Sequence, residues 1–201
     1  MIQQLYQIPI YIAHDTLPRK KLEQLEKDTI RLGDEISDYP DRFNPDIYKF
    51  SHKATDYYAH ALPEFRDITN EVLTHVSVML DEMGYSEEQI AKLTIINSWF
   101  GIYKTGDYLP MHTHRNSMLS CAFYIKSTTP TKLKFIHDIY RNTPFPTDIN
   151  NQWSKNFTAF TCKPGQLTIF PSDAAHGCDK LIGEPDEIVK IMLSYNLGIN
   201  K

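Results

Sequence analysis

Residues 97–125 read NSWFGIYKTGDYLPMHTHRNSMLSCAFYI. Three β-like segments, at 94–103, 109–114 and 118–126, run through this stretch, and the breaks between them carry Gly106, Asp107 and Asn116. Runs rich in aromatic and β-branched residues with turn residues between them read as strands. The same grammar continues downstream at 131–137, 157–162, 166–170, 175–180 and 187–197. Eight such segments, divided by Gly, Pro, Asp and Asn, predict a β-barrel or jelly roll.

Upstream the period changes. After a short strand-like segment at 8–13, Leu22, Leu25 and Leu32 recur at helical intervals, which predicts a helix over 18–32 stopped by Gly33. From 62 to 83 the apolar positions Phe65, Val72, Val76, Met79 and Leu80 share one helical face, and Gly84 follows as a cap. Ser86 and Gln89 have capping-box spacing for one more short helix. Helices first and strands afterwards predict a mainly β fold with two or three N-terminal helices packed on the outside of one sheet. The expected division is a helical part at 1–92 and a barrel core at 93–201 within a single domain. Two long loops are expected, at 34–54 and at 138–156, the second a candidate substrate lid at a barrel mouth.

The chain has 201 residues, of which 41% are hydrophobic, enough for one substantial core. Its 25 acidic and 21 basic residues leave a net charge of −4, which gives no electrostatic reason for a nucleic-acid partner. Cys121, Cys162 and Cys178 match neither a disulfide framework nor a paired CxxC zinc module, so a reducing, cytoplasmic setting is expected. The N-terminus lacks the order of a signal peptide, and no apolar run approaches the roughly 18 residues needed to span a bilayer, so no membrane association is expected.

Chemistry concentrates in PMHTHRN. Strand residues two apart point to one face, so His112 and His114 can present both imidazoles to one ion. A third imidazole, His176, arrives 62 residues later (176 − 114) in FPSDAAHGC, and closing a barrel brings it to the pair. Asp107 reads as a solvated turn residue. His137 and Asp138 point to opposite faces if extended and read as structural.

The stretches 97–125, KPGQLTIFPSDAAHG at 163–177 and VKIMLSYNL at 189–197 resemble the cupin-like, double-stranded β-helix oxygenases of bacteria and tailed phages that use iron and 2-oxoglutarate. The resemblance covers the C-terminal half well and the helical third in outline. It implies Fe(II) as the metal, 2-oxoglutarate as cosubstrate, and oxidation of a small molecule or a protein side chain in the cytoplasm of a bacterium or phage-infected cell. The usual ligand set of that family is two histidines and a carboxylate. This chain departs from it: with His112 first, His114 stands where the acid belongs, and with His114 first, Asn116 does. His114 is therefore a ligand in place of the acid or a neighbour of the ligands. A halogenase variant needs a small residue there, which His114 is not.

2-Oxoglutarate needs a buried cation for its distal carboxylate. The resemblance places a basic residue, commonly arginine, at Lys190, where lysine keeps the charge without the bidentate fork. By strand parity Ile188, Lys190, Met192, Ser194 and Asn196 share one face, and Val189, Ile191, Leu193, Tyr195 and Leu197 pack on the other. Tyr103, Ser120 and Tyr124 are further candidates for the cosubstrate site, while Asn97 and Trp99 are candidates to face substrate.

Two alternatives stay open at this level. Cys178 can join the three histidines in a closed, structural zinc site. A three-histidine dioxygenase independent of 2-oxoglutarate is the other.

Overall fold

Strand β9, Ile188–Ile199, organises the protein: β2 (Leu93–Lys104) pairs along one of its edges and β4 (Leu119–Ser127) along the other, both antiparallel. The computed structural model describes residues 8–35, 58–136 and 157–200. With β7 (Leu167–Pro171) beyond β4 and β1 (Tyr11–Ala13) beyond β7, these strands form a five-stranded sheet in the order β1-β7-β4-β9-β2. A second sheet has the order β3-β8-β5-β6, from Leu109–His112, His176–Cys178, Lys132–Ile136 and Phe157–Thr161. Two antiparallel sheets facing each other form the expected jelly roll. The expected loops at 34–54 and 138–156, with His137 and Asp138, lie outside the described residues, apart from Asp34 and Glu35.

The outer face of the larger sheet is covered by helices α1 (Arg19–Glu35) and α2 (Arg66–Glu82), as the order of elements predicts. Leu25 and Leu32 from α1, and Ile68, Val72, Val76 and Leu80 from α2, are buried against Phe100, Phe123, Leu193 and Leu197 of the sheet. Each large apolar side chain so buried contributes roughly 1.5–3 kcal/mol. Phe65 meets Phe100 with ring centroids 5.9 Å apart, and the hydroxyls of Thr69 and Tyr195 bond at 3.2 Å, tying α2 to β9. Helix α3, Glu87–Ile90, carries the expected capping box between Ser86 and Gln89.

Both long helices depart from their expected ends. Gly33 does not stop α1, which runs on to Glu35: Gly33 is buried, and Arg31 bridges Glu35 one turn on at 2.8 Å and Glu64 at 2.7 Å. Helix α2 begins at Arg66 rather than 62, because Leu62 precedes Pro63 and is held extended (φ −75°, ψ 135°). Two 3₁₀ turns, Ala59–Ala61 and Pro63–Phe65, take up the intervening chain.

Parity along β9 holds from Lys190 to Leu197 and fails at its start. Ile191, Leu193, Tyr195 and Leu197 face the helices, while Met192 faces the barrel interior. An irregularity in the ladder, where Tyr103 pairs Lys190 but Lys104 pairs Ile188, turns Val189 inward and Ile188 toward the helices. An extra residue inverts alternation. Asp107 also differs from expectation: it is a turn residue, but buried, with Oδ2 accepting the Lys104 N–H at 2.7 Å.

Candidate metal centre and cosubstrate pocket

The smaller sheet brings the first and third histidines together as direct partners, His112 of β3 opposite His176 of β8. Gly177 permits the approach. A Cβ there would meet Leu109 O at 2.7 Å and Met111 Sδ at 2.8 Å, so only glycine lets β3 lie this close to β8. The second histidine does not sit on the strand as parity predicts: β3 ends at His112, and His114 is held just beyond by its N–H donating to Ser172 O at 2.9 Å. It still reaches the same place. Potential ligand atoms of His112, His114 and His176 lie within 4.8 Å of one another, the one such group found among the described residues.

Two of the imidazoles are oriented by backbone. His112 Nδ1 lies 2.8 Å from Pro110 O and His176 Nδ1 lies 2.8 Å from Ala174 O. A carbonyl can only accept, so each Nδ1 carries the proton and each Nε2 presents a lone pair to the centre. His114 Nε2 points there too, 3.2 Å from His176 Nε2. Burial, reinforced by the neighbouring His112, lowers the His114 pKa from the ordinary 6.5 to about 4. Burial first, then the neighbouring imidazoles, lowers that of His176 to about 3, and burial also lowers that of His112. All three are neutral at pH 7, the protonation state a metal requires. Three nitrogen donors with coordination positions left over fit a divalent iron.

The centre opens into a cavity of about 360 Å³ between the sheets, lined along β9 by Lys190, Met192, Ser194 and Asn196. Lys190 is only 2% exposed, which removes it from the class of solvated strand lysines. Its Nζ lies 4.1 Å from the Tyr103 ring centroid and 3.6 Å from Cys178 Sγ, and among the described residues no carboxylate pairs with it. Cys178 follows His176 by two residues on β8, a rise of about 7 Å. The ammonium thus sits beside the strand position two residues on from His176.

The remaining candidates also line this cavity. Tyr103 and Tyr124 are buried with their pKa values raised, first by desolvation; Tyr124 also bonds the Cys162 thiol. Ser120 is engaged in a polar chain: its Oγ donates to Asn196 Oδ1 at 2.8 Å and meets Ser172 Oγ at 2.8 Å. Asn196 Nδ2 donates to Asn97 Oδ1 at 2.9 Å and lies 3.4 Å from His114 Nδ1. Trp99 lies against His114, ring centroids 5.5 Å apart. Sequence reading placed Asn196 on the pocket face but missed its contact with His114, and missed Ser172 altogether. Cys178 turns to Lys190 and stands outside the three-imidazole group, so the geometry does not build the four-coordinate zinc site.

Residues 97–191 match the family described as "Putative 2OG-Fe(II) oxygenase", a stretch that holds all three histidines and Lys190. Over that stretch, a little under half of the chain, the sequence is similar to 2-oxoglutarate- and iron-dependent oxygenases. No curated protein sequence matches the chain. Among solved structures, iron-bound HygX from Streptomyces hygroscopicus is similar over 95% of this chain and 82% of its own, with TM-score 0.57 and 12% identity. A prolyl-4-hydroxylase from Pseudomonas putida is similar over 96% and 93%, with TM-score 0.54 and 13% identity. EctD from S. alaskensis is similar over 94% and 72%, with TM-score 0.59 and 16% identity. These likenesses are of fold, and extend over the helical part as well. Among the described residues no helix is long and apolar enough to cross a membrane.

Proposed function

We propose that this protein is an oxygenase that holds Fe(II) through Nε2 of His112, His114 and His176, binds the distal carboxylate of 2-oxoglutarate at Lys190, and hydroxylates a small molecule entering past Asn97 and Trp99. The observation that carries this reading is the pairing, in one cavity, of three neutral imidazoles with a buried ammonium that has no acid partner among the described residues. A buried cation without a carboxylate is costly until an anion arrives. The iron would supply the activation of O₂ that couples decarboxylation of 2-oxoglutarate to oxidation of a C–H bond.

The chain's own residues do the rest. Lys190 and the Tyr103 ring fix one end of the cosubstrate, Met192 and Phe170 exclude water along its length, and the backbone carbonyls of Pro110 and Ala174 keep two imidazoles in the metal-binding tautomer. Trp99 and Asn97, beside His114, offer an aromatic face and an amide to the substrate. A small-molecule substrate is supported by the cavity's size and by analogy with HygX, which has been crystallised with hygromycin B. Cys121, Cys162 and Cys178 are free thiols, in keeping with a cytoplasmic setting and a single domain that needs no disulfide.

The test is to incubate iron-loaded protein with 2-oxoglutarate and O₂ and to measure succinate. The proposal expects oxygen-dependent succinate even without substrate. No succinate, together with stoichiometric zinc in the native protein, would overturn it.

A further inference from the structure

The three free thiols stand in different surroundings. Cys121 and Cys162 are 2% and 5% exposed, whereas Cys178, on β8, is half-buried and so within reach of solutes. Cys178 is also a thiol that meets a cation. Lys190 Nζ lies 3.6 Å from its Sγ, and an ammonium can only donate, so the sulfur receives that contact. The thiol hydrogen is directed elsewhere, to Asp179 O at 3.2 Å.

A second observation gives this contact a meaning. Lys190 is 2% exposed, yet its neighbours are a thiol and the face of the Tyr103 ring, and no carboxylate pairs with it among the described residues. A buried ammonium in that state gains from an anion placed within its reach. Cys178 can become one. Hydrogen peroxide passes one oxygen to a thiol sulfur: an S–O bond forms, the O–O bond breaks, two electrons go from sulfur to peroxide, and water leaves. A second peroxide repeats the step and gives the sulfinate, which carries a negative charge. With Nζ 3.6 Å from the sulfur, a sulfinate oxygen falls within hydrogen-bond reach of the ammonium.

We propose that Cys178 is a site of oxidative modification by peroxide, and that its sulfinate pairs with Lys190 and thereby closes the cavity to 2-oxoglutarate. The modification acts on the cosubstrate and not on the metal. Cys178 stands outside the group formed by His112, His114 and His176, so its oxidation takes no ligand away. It places a charge where the distal carboxylate would bind, and both Cys178 and Lys190 line the one cavity. A single ammonium cannot neutralise two anions there, so bound 2-oxoglutarate in turn covers the thiol and protects it.

The inference rests on the proposed binding of 2-oxoglutarate at Lys190, and the experiment separates the two. Full-length protein loaded with Zn(II), which has no redox chemistry with peroxide, is treated with hydrogen peroxide and desalted. Peptide mass spectrometry locates the added oxygen, and calorimetry measures 2-oxoglutarate binding before and after. Two oxygens are expected on Cys178 while Cys121 and Cys162 remain thiols. Zn(II) should be retained, and affinity for 2-oxoglutarate should fall roughly 100-fold, the scale for losing one member of a buried charge pair. Excess 2-oxoglutarate during the treatment should slow the oxidation. Cys178→Asp, which puts a carboxylate at the same position, should bind weakly without peroxide, and the affinity of Cys178→Ser should not change on treatment. A sulfinate at Cys178 with unchanged affinity, or Cys178 left as a thiol, overturns the inference and leaves the cosubstrate site standing. Untreated protein that binds no 2-oxoglutarate overturns the cosubstrate site and the inference with it. The wild-type comparison decides even where Cys178→Asp does not fold.

Discussion

Lys190 Nζ lies 4.1 Å from the centroid of the Tyr103 ring, at backbone positions that are direct partners between β9 and β2. The ring face offers partial negative charge to the ammonium without competing for its hydrogen bonds. A carboxylate can therefore join the ring and the Cys178 sulfur around the ammonium without displacing an acid, since none of the described carboxylates pairs with it. Lys190→Met removes the charge and keeps the length, so 2-oxoglutarate affinity should fall by roughly 100-fold or more, the scale for losing one member of a buried charge pair. The same substitution should leave the cosubstrate-free protein as stable as before or more stable, because an isolated buried charge is replaced by an apolar chain. Titration of 2-oxoglutarate and a urea melt of each protein check the two halves.

Removal of any one imaginable ligand tests the metal centre residue by residue. His112→Ala, His114→Ala and His176→Ala should each fail to retain stoichiometric iron through gel filtration, because three donors leave none to spare. Iron retained by the His114 variant alone would reduce the centre to a pair and make His114 a neighbour.

Acid should destabilise the metal-free protein through these same rings. His114 and His176 have folded pKa values of about 4 and about 3, below the ordinary 6.5 of an unfolded chain. Between those limits the unfolded state binds more protons, so stability rises with pH there and is lost as pH falls from about 6.5 toward 3. Thermal melts across that range should show the midpoint falling with acidity, and His176→Gln should flatten the fall. Divalent metal should raise the midpoint at neutral pH, since an ion that binds the folded state alone shifts the equilibrium by mass action.

Gly177 makes a separate prediction about how the centre is built. Gly177→Ala forces a methyl against Leu109 O and Met111, whose nearest atoms would stand 2.7 and 2.8 Å away. The strain should cost about 1–3 kcal/mol. Because Gly177 follows His176 directly, metal affinity should fall with stability, which equilibrium unfolding and metal titration read separately.

Much of this was legible in the sequence because the relevant rules are local. Alternation along 187–197 put Lys190 and Asn196 on one face, and the spacing of His112 and His114 put two imidazoles at one point. What escaped depends on contacts between distant segments. The irregularity that swaps Ile188 and Val189 arises from how β9 registers against β2. Gly33 reads as a helix stop, yet Arg31 gains Glu64, 33 residues away, and the helix continues. His114 leaves the strand and is caught by Ser172, and its Nδ1 meets Asn196, 82 residues on. No period in the sequence encodes such a meeting.

The central claim is that iron at the three imidazoles and 2-oxoglutarate at Lys190 occupy one site. The most direct measurement adds 2-oxoglutarate to the ferrous protein without oxygen and records the visible spectrum. A metal-to-ligand charge-transfer band is expected in the wild type at cosubstrate concentrations where Lys190→Met shows none. A wild type that binds iron yet shows no band, or a band equally strong in Lys190→Met, would contradict the account.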